Sequence, residues 1–131
     1  MKNGFLLPIL CKGNCNSKMA IYIIKCTLCD ELYVGKTEMT IEKRLKVHLS
    51  MIRNFQPFKY NCCSDVFHFN LKDHDYLTQF KFYIFNDNFQ TVTELLLTER
   101  ILINFIFKSH YSILNDYIPD EIKNDHQLLF N

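Results

Sequence analysis

Apolar and polar positions follow no period over the first eighteen residues, and the chain acquires a pattern at Ala20. Ala20 to Lys25 (AIYIIK) is β-branched and aromatic and reads as a strand. Thr27 to Asp30 makes a tight connection, and Glu31 to Gly35 reads as a second strand, so the two form a hairpin. Thr40 caps a helix running to about Asn54, in which Ile41, Leu45, Leu49 and Ile52 recur at helical spacing on one face. Arg44 and His48 lie one turn apart on the same side of it. Phe55 to Cys63, with Pro57 and a Cys pair, breaks the period and reads as a loop ahead of a short helix from Ser64 to Leu71. In TQFKFYIF the alternation of Phe80, Phe82 and Ile84 predicts a third strand with one buried face, ended by the turn formers Asn86, Asp87 and Asn88. Thr91 and Glu94 have capping-box spacing and open a strongly apolar helix to about Lys108. A loop through Asn115 and a polar tail from Pro119 follow.

Composition narrows the class. At 131 residues and 48% hydrophobic, the chain suits one domain with its own core, and with only 3 Gly and 3 Pro it should be disordered at most near its ends. A formal net charge of +1 gives no global attraction to nucleic acid, so any phosphate-binding surface must arise from local clustering. The apolar run FLLPIL near the start is shorter than a usual secretory core and contains a Pro. The richest apolar stretch, LLLTERILINFIF, is interrupted by Glu99 and Arg100 and falls short of the roughly 18 residues that span a bilayer, so a soluble chain with no membrane partner is expected. Six cysteines would suit a secreted disulfide protein, but the chain's size and the spacing Cys26-x-x-Cys29 beside a strand favour an intracellular thiol or zinc role.

One acid stands out by position. At about 100° per residue, Glu94, Thr98, Arg100, Asn104 and Lys108 fall on the polar arc of the last helix, whereas Glu99 falls among Leu95, Leu102, Ile103 and Ile106. An uncompensated carboxylate there costs several kcal/mol, so a metal, an Arg or a ligand is its natural partner. The alternative is that Glu99 lies at the edge of the face and pairs with a structural Arg or Lys.

Tyr22 in AIY and Tyr33 in YVG stand where the GIY-YIG nuclease family has the two tyrosines of its name, with Ala20 in place of the first glycine. Arg44 and His48 match that family's helix Arg and His, Glu99 its metal-ligand Glu, and Asn115 the Asn near its end, so the ordered set resembles the family from Ala20 to Asn115. Within it the chain most resembles the endonuclease domain of Penelope-like retroelements, whose extra Cys and His residues correspond here to Cys26, Cys29, His68 and His74. The resemblance implies a structural Zn²⁺ held by those four. Cys11, Cys15, Cys62 and Cys63 are competing ligands, His68-x5-His74 is wider than the commonest zinc-finger spacing, and buried free thiols are the plainer reading. It also implies residues 1–18 as a leader or linker remnant, 19–116 as the nuclease domain and 117–131 as a C-terminal tail. A reverse transcriptase or larger parent protein is then an expected partner, and the location intracellular, nuclear if the source is a eukaryote.

The implied chemistry is phosphodiester hydrolysis on DNA. Glu99 supplies an oxygen ligand for Mg²⁺ or Mn²⁺, and Arg44 offers paired hydrogen bonds to the scissile phosphate. Tyr22 takes the water's proton by resemblance, although a free phenol titrates at about 10 and needs a cation nearby. His48 can share the transfer or orient Tyr22 or Tyr33, and sequence leaves these roles open. Lys36, Lys43, Lys46 and Arg53 form a basic patch with Arg44 that suits a nucleic-acid backbone, or simply a solvated helix face. The expected fold is α+β, a small, mainly antiparallel three-stranded sheet flanked by helices and bringing the hairpin and two long helices to one site. The alternative function is a zinc-stapled DNA-binding or retroelement-derived remnant that no longer cuts.

Overall fold

The hairpin forms as the pattern predicts. In the computed structural model, which describes residues 16–55, 64–109 and 113–115, β1 (Ala20–Cys26) pairs antiparallel with β2 (Leu32–Thr37), Tyr22 opposite Gly35. The turn between them closes with Asp30 N–H donating to Cys26 O at 2.8 Å and Cys26 N–H to Glu31 O at 3.0 Å. α1 (Ile41–Arg53) follows, its first turn capped by Thr40, which accepts from the Lys43 N–H at 3.3 Å. Then come α2 (Ser64–His68), α3 (Tyr76–Gln79), β3 (Phe80–Asn86) and α4 (Val92–Lys108). Strand order is β2-β1-β3, all antiparallel, as expected for the α+β class.

β1 is therefore central, and every one of its residues except Lys25 is buried. Its side chains alternate between two cores. Ile21 and Ile23 join Leu32 and Val34 against Leu95, Ile101, Leu102 and Ile106 of α4. Ala20, Tyr22, Ile24 and Cys26 face Ile41 and Ile52 of α1 together with Val66 and Phe69. Helices thus cover both faces of the sheet, and each isoleucine so enclosed contributes about 1.5–3 kcal/mol.

Three local expectations change. The third strand does not bury one face cleanly: Phe80, Phe82 and Ile84 are partly buried on the α1 side, while Phe85 is buried towards α4. The register shifts between Ile21 and Tyr22, which pair with Asn86 and Ile84, so Phe85 is the extra residue of a bulge, and by strand alternation Phe85 and Tyr83 take the α4 side. The helix expected from Ser64 to Leu71 ends at His68. A further short helix, α3, takes the start of TQFKFYIF, because the Asp75 side chain accepts from Leu77 N–H at 3.0 Å and caps it.

Residues 113–115 run along the open edge of β2, where Ile113 makes a parallel bridge to Leu32. No helix among the described residues is long and apolar enough to cross a membrane. Cys11, Cys15, Cys62 and Cys63, most of the Phe55 to Cys63 loop, and nearly all of the leader and tail lie outside the described residues.

Candidate functional site

Tyr22 projects from β1 towards α1 with its ring stacked on Phe82, centroids 5.0 Å apart, and laid across Gly35. A Cβ at Gly35 would stand 2.2 Å from Tyr22 Cζ, so the glycine is what lets the ring occupy this place. Two side chains of α1 meet the hydroxyl: Arg44 Nε–H donates to it at 3.0 Å, and His48 Nε2 lies 2.6 Å away. The one-turn spacing expected of Arg44 and His48 thus brings both onto a single atom. Tyr33, one residue from the β2 position paired with Ile23, turns its ring edge to His48 at 5.8 Å. Tyr22 has no exposed surface, since His48, Phe82 and Arg44 surround it, whereas Tyr33 and Arg44 are partly exposed.

Asp65 is the residue sequence reasoning missed. Its Oδ2 lies 2.7 Å from His48 Nδ1, both side chains are fully buried, and its Oδ1 has no hydrogen-bond partner among the described residues. An acid in the first turn of a helix is ordinary, which is why nothing marked it. The available signal was its place one turn before Phe69 and beside Val66, both of which are core residues.

Glu99 approaches from the other face of the sheet. It is half-buried on α4, and burial pushes its carboxyl above the ordinary carboxylate value while the charge of Lys36 pulls it down. Among the described residues it makes no hydrogen bond or ion pair. The polar arc assigned to this helix needs correcting, because Thr98 and Asn104 are buried. Thr98 lies three residues after Leu95 and four before Leu102, inside the apolar stripe, and Glu99 flanks that stripe. Lys36 follows Gly35 in β2, so Tyr22 and Glu99 address successive residues of one strand from opposite faces. A half-buried carboxylate with no hydrogen-bond partner among the described residues suits a hard divalent cation that completes its shell with water and phosphate oxygens.

Asn115 clamps the outer edge of β2, its Nδ2–H donating to Val34 O at 2.8 Å and its Oδ1 accepting from Val34 N–H at 2.9 Å. Both polar ends of the amide are occupied in holding the strand that carries Tyr33 and Gly35.

At the far end of the hairpin, Cys26, Cys29, His68 and His74 come together, their ligand atoms all within 4.8 Å of one another. Cys29 Sγ lies 3.1 Å from His68 Nε2 and 3.9 Å from His74 Nε2. The opposite ring nitrogens are held from outside: His68 Nδ1 lies 3.0 Å from Glu31 Oε2, and His74 Nδ1 3.2 Å from Lys72 O. That is the arrangement which orients imidazoles towards a metal. Burial, followed by smaller effects that include the neighbouring Cys26, pushes the Cys29 thiol up to about 11, and burial holds His68 below the usual imidazole value, in its neutral ligand form. Two sulfurs and two imidazole nitrogens suit a tetrahedral ion such as zinc.

The basic side chains are exposed, Lys36 at the end of β2 and Lys43, Lys46 and Arg53 along α1. Lys46 is paired with Glu42 at 3.1 Å, and Arg53 Nε–H donates to Tyr76 Oη at 3.4 Å.

Among known proteins, no curated protein and no solved structure matches the chain. Residues 18–104 match the GIY-YIG catalytic domain. The matched span runs from just before β1 into α4 and takes in Tyr22, Tyr33, Arg44, His48 and Glu99. Because it includes the sheet and both long helices that carry these side chains, the chain belongs to the GIY-YIG catalytic domain family.

Proposed function

We propose that the chain is a divalent-metal-dependent endonuclease that hydrolyses DNA phosphodiesters, nicking one strand and leaving a 3′-hydroxyl. The observation that carries this is the convergence of Arg44 and His48 on the Tyr22 hydroxyl, with the half-buried Glu99 across β2. Mg²⁺ or Mn²⁺ would be held by Glu99 and, when bound, polarises the phosphoryl oxygens and stabilises the departing oxygen. Arg44 serves the phosphate, its planar fork matching two oxygens and its charge counting most as negative charge builds. The same guanidinium donates to the Tyr22 hydroxyl in this structure, so a phosphate that draws Arg44 away would free a lone pair of that oxygen for the attacking water. Tyr22 then takes the water's proton, with His48 at 2.6 Å as the group that receives its own.

The four Cys and His residues would hold a structural Zn²⁺ that staples the hairpin turn to α2 and to the turn before α3. The exposed Lys36, Lys43, Lys46 and Arg53 would meet the DNA backbone without reading bases. A retroelement origin, a reverse transcriptase or larger parent protein as partner, and action in the nucleus of a eukaryotic source are part of the same reading. A second reading, a zinc-stapled DNA-binding remnant that no longer cuts, is favoured by the complete burial of Tyr22 and by Ala20 in the family's glycine position. Supercoiled plasmid separates the two. Purified chain with Mg²⁺ or Mn²⁺ should convert it to open circles whose nicks a DNA polymerase extends, and plasmid that stays supercoiled supports the remnant.

A further inference from the structure

We infer that Asp65 is a positioning residue for this reaction: it fixes the tautomer and ring angle of His48 that make Nε2 the acceptor of the Tyr22 proton. This rests on the nuclease reading of the site.

The direction of the hydrogen bonds carries the inference. A carboxylate has only acceptors, so at 2.7 Å from His48 Nδ1 it requires the imidazole proton on that nitrogen. The opposite tautomer would set the Nδ1 lone pair against those of the carboxylate at the same distance. A ring that is to accept a proton has to be neutral beforehand; with Nδ1 protonated, Nε2 of that neutral ring is then an acceptor and the Tyr22 hydroxyl at 2.6 Å donates to it. The Tyr22 oxygen keeps lone pairs for the Arg44 Nε–H at 3.0 Å. Every donor therefore meets an acceptor in one sense from Arg44 through Tyr22 and His48 to Asp65. The chain runs from the partly exposed Arg44 to a fully buried acid, away from solvent.

The placement of Asp65 argues against a purely structural part. Its side chain is fully buried and its Oδ1 is unsatisfied among the described residues, which destabilises the fold. Asparagine or an apolar residue would fill the same volume without a buried charge. What the carboxylate adds is a fixed acceptor behind His48.

In the reaction the water gives a proton to the Tyr22 oxygen as the Tyr22 proton passes to His48 Nε2, and the water oxygen bonds to phosphorus as the P–O3′ bond breaks. The imidazolium so formed keeps its Nδ1–H against Asp65. Its extra proton goes to solvent as product leaves, and the 3′ oxygen takes one from solvent.

Two measurements test this. In ¹⁵N spectra of the histidine side chains, assigned for His48 with His48→Gln, the wild type should show Nδ1 protonated and Nε2 bare, and Asp65→Asn, whose amide can donate to Nδ1, should move the proton to Nε2. In nicking assays Asp65→Asn should lower kcat by ~10²–10⁴-fold, as expected for the wrong tautomer, with KM for DNA nearly unchanged. A wild-type His48 with its proton on Nε2 overturns the assignment whether or not the variant folds, and so does a folded Asp65→Asn with wild-type kcat. A wild type that does not nick sinks the nuclease reading alone, because the spectrum still decides the role of Asp65.

Discussion

Gly35 is a residue whose value lies in what it lacks. The Gly35→Ala methyl would stand 2.2 Å from Tyr22 Cζ and 2.4 Å from its hydroxyl oxygen, so the ring must leave its contacts with His48 and Arg44. The substitution should cost about 1–3 kcal/mol of stability as an overpacked core position does. It should lower nicking by at least ~10²-fold, read from a denaturant titration and a rate in parallel. Glu99 behaves in the opposite way. Its carboxyl is raised by burial, so the folded state holds that proton more tightly than the unfolded chain does, and the fold without metal gains stability as pH falls through the Glu99 titration. At neutral pH the buried charge is a cost, and Glu99→Gln should raise Tm by ~2–5 °C in chelator at pH ~7. The gain should vanish near pH ~4, where the wild-type carboxyl is protonated in both states. Melting curves at the two pH values check this, and an unchanged or lowered Tm at neutral pH contradicts it.

α2 is the element on which the two clusters meet. Asp65, behind His48, and His68, in the Cys and His group, are three residues apart on this single short helix. Little inside so short a segment holds it helical, so its tertiary contacts must. If the four Cys and His residues bind zinc, a strong chelator should lower Tm by ~5–15 °C. Cys29→Ser should start at the lower Tm and respond no further. Identical melts of the wild type with and without chelator would contradict the staple. Elements with a long period were legible in the sequence: α4 keeps its bounds and its Thr91 cap, and α1 keeps Arg44 and His48 on one side. α3 was not, because four residues are too few to show a helical period. Nor was the two-sided burial of β3, which depends on helices packing on both faces of the sheet.

At the scale of the whole molecule, the candidate site is built around β2. Tyr22, Arg44 and His48 approach it from the α1 face, Glu99 from the α4 face, and Asn115 fixes the strand from its open edge. The candidate residues Tyr22, Tyr33, Arg44, His48, Glu99 and Asn115 could be named from their order along the chain, since type and spacing are sequence properties. Asp65 could not, because its partner is seventeen residues away and only packing brings the two together. Nor could the complete burial of Tyr22, which His48, Phe82 and Arg44 surround. On a chain of net charge +1, the exposed Lys43 and Lys46 of α1 and Lys36 at the end of β2 are the local cluster that the proposed DNA contact would use. The central claim, metal-dependent cutting through Glu99, is tested most directly by nicking rates on supercoiled plasmid across a Mg²⁺ titration. Wild type and Glu99→Gln should be purified side by side and each shown folded by its melt. The wild type should nick with a rate that rises with Mg²⁺ and falls to background in chelator, and Glu99→Gln should stay at background throughout. A wild type that leaves the plasmid supercoiled, or a Glu99→Gln protein that nicks at the wild-type rate, would contradict the account.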